Sequence, residues 1–151
     1  MSNTHEDAFV VEGKLALPYQ YFAGTVGSRF LTALRDECKI LGQRCEKCGK
    51  VFIPPRATCE RCFSDLSGAW VELGTSGMVA NFTVIHYEEP HHPRKAPFVI
   101  ALIKLDGADT PLAHVVAGVD PSSVAVGMLV KAVFAENRIG SIMDINHFEP
   151  A

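Results

Sequence analysis

The sequence predicts a mainly β chain: one N-terminal helix, then a four-cysteine ribbon, then a small closed barrel of five or six strands. Three observations predict it. Two C-x-x-C pairs, Cys45/Cys48 and Cys59/Cys62, flank a ten-residue spacer. The stretch 28–38 carries apolar residues at helical spacing. From Trp70 onward, short runs rich in β-branched and aromatic residues alternate with turn signals, and no long helical repeat interrupts them. At 151 residues the chain holds one ordinary core or two small modules.

Residues 1–27 read as an N-terminal arm with an acidic start and no helical repeat over its first 18 positions. Within it, Tyr19, Tyr21 and Phe22 crowd three aromatics into four residues, as a clip onto the body of the fold or as a patch for a partner chain. Ser28 is a fitting N-cap for a helix that runs to Glu37 or Cys38. Phe30, Leu31, Leu34 and Cys38 recur every three or four residues and form its apolar stripe, with Cys38 read as a small buried hydrophobe.

The helix and ribbon together span 28–69. Lys39–Arg44 reads as a strand leading into the first knuckle, and Lys50–Ile53 as its hairpin mate, stopped by Pro54-Pro55, which cannot donate ladder hydrogen bonds. A C-x-x-C turn sets two sulfurs on one side of a tight knuckle, so two knuckles supply four thiolates to a tetrahedral ion. Cys45, Cys48, Cys59 and Cys62 are therefore the predicted ligands. Four thiolates suit Zn2+ first and iron second, and the spacing leaves both open. Such a site has no open coordination position, which argues against catalysis at the metal. Gly49 follows the first knuckle, where a left-handed backbone is needed; Phe63 stands at the equivalent place in the second.

The barrel is assigned to 70–151. Its strands read as Trp70–Leu73, Met78–Tyr87, Pro97–Leu105, Pro111–Gly118, Leu129–Ala135 and Ser141–Phe148, with a polar loop at 88–95, a turn at Asp106-Gly107 and a short turn or helix at 120–123. That many short strands in about 80 residues fit a closed Greek-key barrel of the OB type better than an open sandwich.

Composition narrows the function. The chain is 48% hydrophobic and 21% charged with a net charge of −3. It contains no apolar run long enough to span a membrane. Its polar, acidic start is unlike a signal or transit peptide, and five cysteines of which four suit a metal fit a reducing cytoplasm. The ribbon, 42–69, has five basic residues against three acidic, whereas 70–151 has five against nine. Nucleic-acid binding, which zinc ribbons and OB barrels often perform, is thus the second reading, because a basic face is missing from the barrel half. No phosphate loop or dinucleotide fingerprint is present. His86, His91, His92, His114 and His147 stand near no catalytic constellation, so each reads as a surface or hydrogen-bonded structural histidine.

Several residues together resemble a two-module family, once a domain of unknown function, that joins a rubredoxin-like zinc ribbon to an acyl-CoA-associated OB-fold. They are Arg44-Cys45 through Cys48-Gly49, Phe52 with Pro54-Pro55-Arg56, Cys59 and Cys62, Trp70-Val71-Glu72, Gly77 with Thr83-Val84, Pro97–Ala101, Gly127-Met128 with Val130, and Phe148 with Pro150. The match runs from about Tyr19 to the C-terminus. It implies a non-catalytic accessory subunit that binds a thiolase-like acyl-CoA enzyme and helps form the channel for its substrate. The segment around Tyr19–Gly24 and Ser28–Leu31 is similar to the branch that accompanies thiolases of aromatic or side-chain acyl-CoA degradation, such as the heteromeric benzoylsuccinyl-CoA thiolase. A CoA handle would need cations for its phosphates, and the candidates are Arg56, Arg94 and Lys95, each of which also reads as a plain solubilising charge; Tyr19, Tyr21 and Phe22 are the candidate aromatics for a partner. Phe63 departs from the family pattern, in which glycine commonly follows the second knuckle.

Overall fold

The computed structural model describes residues 11, 13, 17 and 19–151. The acidic start of the arm lies outside the described residues.

Helix α1, Gly24–Glu37, opens four residues before Ser28, so Ser28 is an internal residue and not the cap. Ala23 precedes the helix with no side-chain hydrogen bond, and Gly24 at φ +73° turns the arm into it. Phe30, Ala33 and Leu34 are its buried side. Cys38 ends the helix in the left-handed region at φ +53°, and its N–H turns back to the Ala33 carbonyl. It is half-buried and caps the helix, so it is not the buried core residue that the spacing suggested.

Strands β1 (Ile40–Arg44), β2 (Val51–Phe52) and β3 (Trp70–Leu73) make an antiparallel sheet in the order β2-β1-β3. β3 pairs with β1 from Ile40↔Leu73 to Gln43↔Trp70, so the first of the C-terminal strands belongs to the ribbon sheet. Gly42 permits this crowding: a Cβ there would stand 2.9 Å from the Phe52 carbonyl oxygen and 3.1 Å from Leu73 Cδ1.

β4 (Ser76–Ile85), β5 (Phe98–Leu105), β6 (Leu112–Val116), β7 (Leu129–Phe134) and β8 (Ile145–Pro150) close a five-stranded barrel in the order β4-β5-β6-β8-β7. Along β5, Val99, Ala101, Ile103 and Leu105 point into the core while Leu102 and Lys104 point out. That is the period-two pattern of a strand with one buried face. Gly77 lies where β4 crosses β5: a Cβ would be 2.4 Å from the Lys104 carbonyl oxygen, which no side-chain movement relieves. A bulge between Val79 and Asn81 bends β4 around the barrel. Ser141–Asp144 is not strand. Ser141 and Asp144 form a capping box around a short 3-10 turn, Ile142–Asp144, and the buried Asp144 carboxylate also accepts the N–H groups of Ile139 and Gly140. Local side-chain bonding there outweighs the strand propensity of Ile142.

One core runs through both halves. Phe30, Leu34, Ile40, Val51 and Ile53 pack in the same cluster as Val99, Ile103, Leu112 and Phe148. The ribbon is also bonded to the barrel by the loop between β5 and β6. Asp109 Oδ2 accepts the Val51 N–H at 2.7 Å, and Thr110 Oγ1 accepts the Ile53 N–H and donates to the Ile53 carbonyl, both at 2.8 Å. The Asp109 N–H donates to the Val51 carbonyl at 2.9 Å. These two residues stand in for a missing neighbour strand along β2, and they leave no buried main-chain group of Val51 or Ile53 facing that side unpaired.

Candidate metal centre

The two knuckles come together because β1 delivers Cys45 and a turn returns the chain along β2, after which 54–58 carry it back to Cys59. The four Sγ atoms of Cys45, Cys48, Cys59 and Cys62 lie within 4.8 Å of one another. Cys45 and Cys59 are buried and the other two half-buried. Cys48 Sγ and Cys59 Sγ are 3.8 Å apart, too far for a disulfide. A tetrahedral ion with metal–sulfur bonds of about 2.3 Å needs sulfur pairs about 3.8 Å apart, so the donor set fits. Beneath it, Phe52 and Leu66 complete a small apolar cluster with Cys45 and Cys59. That cluster is small, and an ion on the four thiolates would staple it.

Electrostatics agree with a cation here. Ser64 Oγ, 3.3 Å from Cys45 Sγ, is the first cause that lowers the Cys45 thiol to about 6, with the Cys48 backbone N–H second. Cys62 is pushed up to about 12, first by its hydrogen bond with Cys48, then by burial and by the charge of Cys48. Four thiols this close cannot all ionise without a compensating positive charge. A divalent metal supplies that charge and deprotonates coordinating thiols. The Cys62 N–H, 3.4 Å from Cys59 Sγ, adds a donor to the sulfurs.

The other predicted site residues are dispersed. Arg56 lies over the Phe52 ring at 4.7 Å and pairs with Glu60 at 2.8 Å. Arg94 Nη2 reaches Asn146 Oδ1 at 3.0 Å and His147 Nδ1 at 3.2 Å, so it ties the β4–β5 loop to β8. Lys95 is exposed beside it. Tyr19, Tyr21 and Phe22 are exposed, with the two tyrosine rings 6.1 Å apart. Sequence reasoning missed Asp109 and Thr110, whose role rests on contacts across more than fifty positions. No local signal announces such a pairing.

Two of the described histidines are held by their neighbours in the fold. His92 stacks edge-on between Tyr87 and Phe98. His114 is buried: Nδ1 accepts the Val115 N–H at 2.9 Å, which leaves Nε2 to donate to the Ile142 carbonyl at 3.2 Å. Burial lowers its pKa from the ordinary 6.5, and nearby His147 and Arg94 add to this. Protonation would put a second donor on Nδ1, facing an N–H. The unfolded chain therefore takes up this proton first, and stability falls as pH drops below about 6.5. Thermal melting between neutral pH and about pH 5, above the range where most carboxylates titrate, should show that loss, and His114→Gln should reduce it, with the remainder from His147, whose pKa burial also lowers.

Comparisons with known proteins follow the same division. The rubredoxin-like zinc ribbon domain of ChsH2 matches residues 32–67, and the C-terminal OB-fold domain of ChsH2 matches 70–135. A DUF35 domain-containing scaffold protein of Methanocaldococcus jannaschii is 31% identical over 67% of this chain and 71% of its own length. A second, from Methanothermobacter thermautotrophicus, is 27% identical over 66% and 74%. A probable enoyl-CoA hydratase alpha subunit of Thermomonospora curvata is 32% identical over 61% of this chain but only 28% of its own. Among solved structures, a chain of the Ltp2-ChsH2(DUF35) aldolase superposes with a TM-score of 0.63 at 26% identity, over 82% of this chain and 93% of that one. A DUF35 protein of unknown function from Sulfolobus solfataricus gives 0.59 at 30% identity, over 73% and 78%. No helix among the described residues is long and apolar enough to cross a membrane. With a four-cysteine ribbon and a five-stranded barrel in the order of both ChsH2 domains, and this identity to curated members, the chain belongs to the DUF35 family.

Proposed function

We propose that this chain is a non-catalytic accessory subunit, stapled by Zn2+ on Cys45, Cys48, Cys59 and Cys62, that docks on a thiolase-like enzyme of acyl-CoA metabolism. The observation that carries the reading is the likeness, over 82% of this chain and 93% of the other, to a chain of an Ltp2-ChsH2(DUF35) aldolase, which is named for two proteins together. Two features of the molecule support it. The four thiols form a closed set with no position for substrate, and among the described residues they are the one group of three or more His, Cys, Asp or Glu side chains placed to hold a metal ion. The exposed Tyr19, Tyr21 and Phe22 also gain nothing from the chain's own core and suit burial by another protein. Degradation of aromatic or side-chain acyl groups is the context that the arm's resemblance suggests. In this reading Lys95 is the cation left to meet a CoA phosphate, since the guanidinium groups of Arg56 and Arg94 already have internal partners.

The test is native purification of the chain from its source cells, with the co-purifying chains identified by peptide mass spectrometry. A larger thiolase-fold chain in fixed ratio, whose acyl-CoA cleavage needs this subunit, is the expected outcome. Isolation with nucleic acid and no enzyme would overturn the reading.

A further inference from the structure

The ribbon builds the same turn twice, with different residues at its tip. In the first knuckle the Gly49 N–H donates to the Cys45 carbonyl at 2.7 Å, with Gly49 at φ +74°. In the second the Phe63 N–H donates to the Cys59 carbonyl at 2.9 Å, with Phe63 at φ +53°. A left-handed backbone crowds any Cβ against the next carbonyl, so glycine is the unstrained choice and a bulky ring is an outlier. Burial does not offset that strain: the Phe63 side chain is 82% exposed and belongs to neither buried cluster. An exposed aromatic ring alone needs no explanation. One held on a strained backbone, beside an otherwise identical turn that uses glycine, does, because such strain persists where function uses it.

We propose that Phe63 is a docking anchor, and that it enters an apolar pocket with an acidic rim on the catalytic partner. This rests on the accessory-subunit reading and names the contact. The acidic rim follows from charge. Lys47 on the first knuckle and Arg61, two residues before Phe63, are both exposed, and among the described residues neither forms an ion pair. Lys50 and Arg56, by contrast, are both held by Glu60. An exposed ring two residues from Arg61 also suits a stacked base. The chain's net charge of −3 makes a polyanion the poorer occupant.

The experiment uses the metal-loaded full chain and the enzyme chain identified by co-purification, produced separately. Affinity is read by surface plasmon resonance, alongside metal content and melting temperature. Phe63→Gly is expected to keep its metal and melt no lower than the parent, while binding at least about tenfold more weakly, as removal of an interface anchor does. Phe63→Ala, which keeps a side chain at the strained position but loses the ring, should bind as weakly. Arg61→Gln should slow association, with an effect that shrinks in salt. Parental affinity in Phe63→Gly would overturn the anchor and leave the accessory reading standing. Failure of the parent to bind the enzyme would overturn both. A lower melting temperature or metal loss in Phe63→Gly would make the ring structural and overturn the proposal. So would a single-stranded oligonucleotide that binds the parent and not the variant, or a homodimer that dissociates only in the variant.

Discussion

A Cys59→Ser chain is expected to lose its metal and, with it, the fold of the ribbon. Cys59 is fully buried in the cluster with Cys45, Phe52 and Leu66, so the substitution removes one thiolate and puts a hydroxyl in an apolar setting. Binding and folding are one process in modules of this size, and a structural Zn2+ contributes on the order of 10 kcal/mol or more. That is as large as the whole net stability of a domain, about 5–15 kcal/mol, so its loss is enough to leave the ribbon open. The barrel should persist, because Val99, Ile103, Leu112 and Phe148 pack independently of the sulfurs. Metal analysis and tryptophan fluorescence would report the change, since Trp70 sits on β3 of the ribbon sheet. A strong chelator should reproduce it in the parent. Partner binding should disappear with the metal; a normal complex formed by metal-free chain would overturn this.

Asp109→Ala with Thr110→Val should loosen the ribbon from the barrel without touching a sulfur. The double substitution removes the acceptors of the Val51 and Ile53 N–H groups, and both residues are buried. Each main-chain donor left unpaired costs about 1–3 kcal/mol, so roughly 2–6 kcal/mol is expected together. Hydrogen exchange should show faster amides at Val51 and Ile53 while the β4–β5 ladder keeps its protection. Unchanged exchange at those two amides would show that the loop is not the lock. Thr110→Ser, which keeps the hydroxyl, should behave as the parent at Ile53.

Much of the architecture was legible in the residues because the signals are local. The sulfur spacing needs only two tight turns, the helix only its apolar repeat, and the hairpin mate of β1 only the diproline that stops it. The five barrel strands follow from period-two runs between turn residues. Errors fall where a neighbour in space changed a local preference. Ser28 offered a cap, yet the helix runs through it from Gly24. Cys38 fitted the apolar stripe but ends the helix in a left-handed turn, because the chain must leave there for β1. Ile142 and Met143 read as strand until the Ser141–Asp144 box folded them into a turn.

The chain by itself thus determined its four-cysteine cluster, its element order and its family likeness, since each depends on residues close in sequence. Only the tertiary structure decided that β3 joins the ribbon sheet, that Asp109 and Thr110 complete β2, and that one core crosses both halves. It also decided that Arg56 and Arg94 face internal partners while Phe63 and Lys95 face outward. The reason is physical: a turn is set by the torsions of a few adjacent residues, whereas burial and pairing depend on which distant segments pack against a given face.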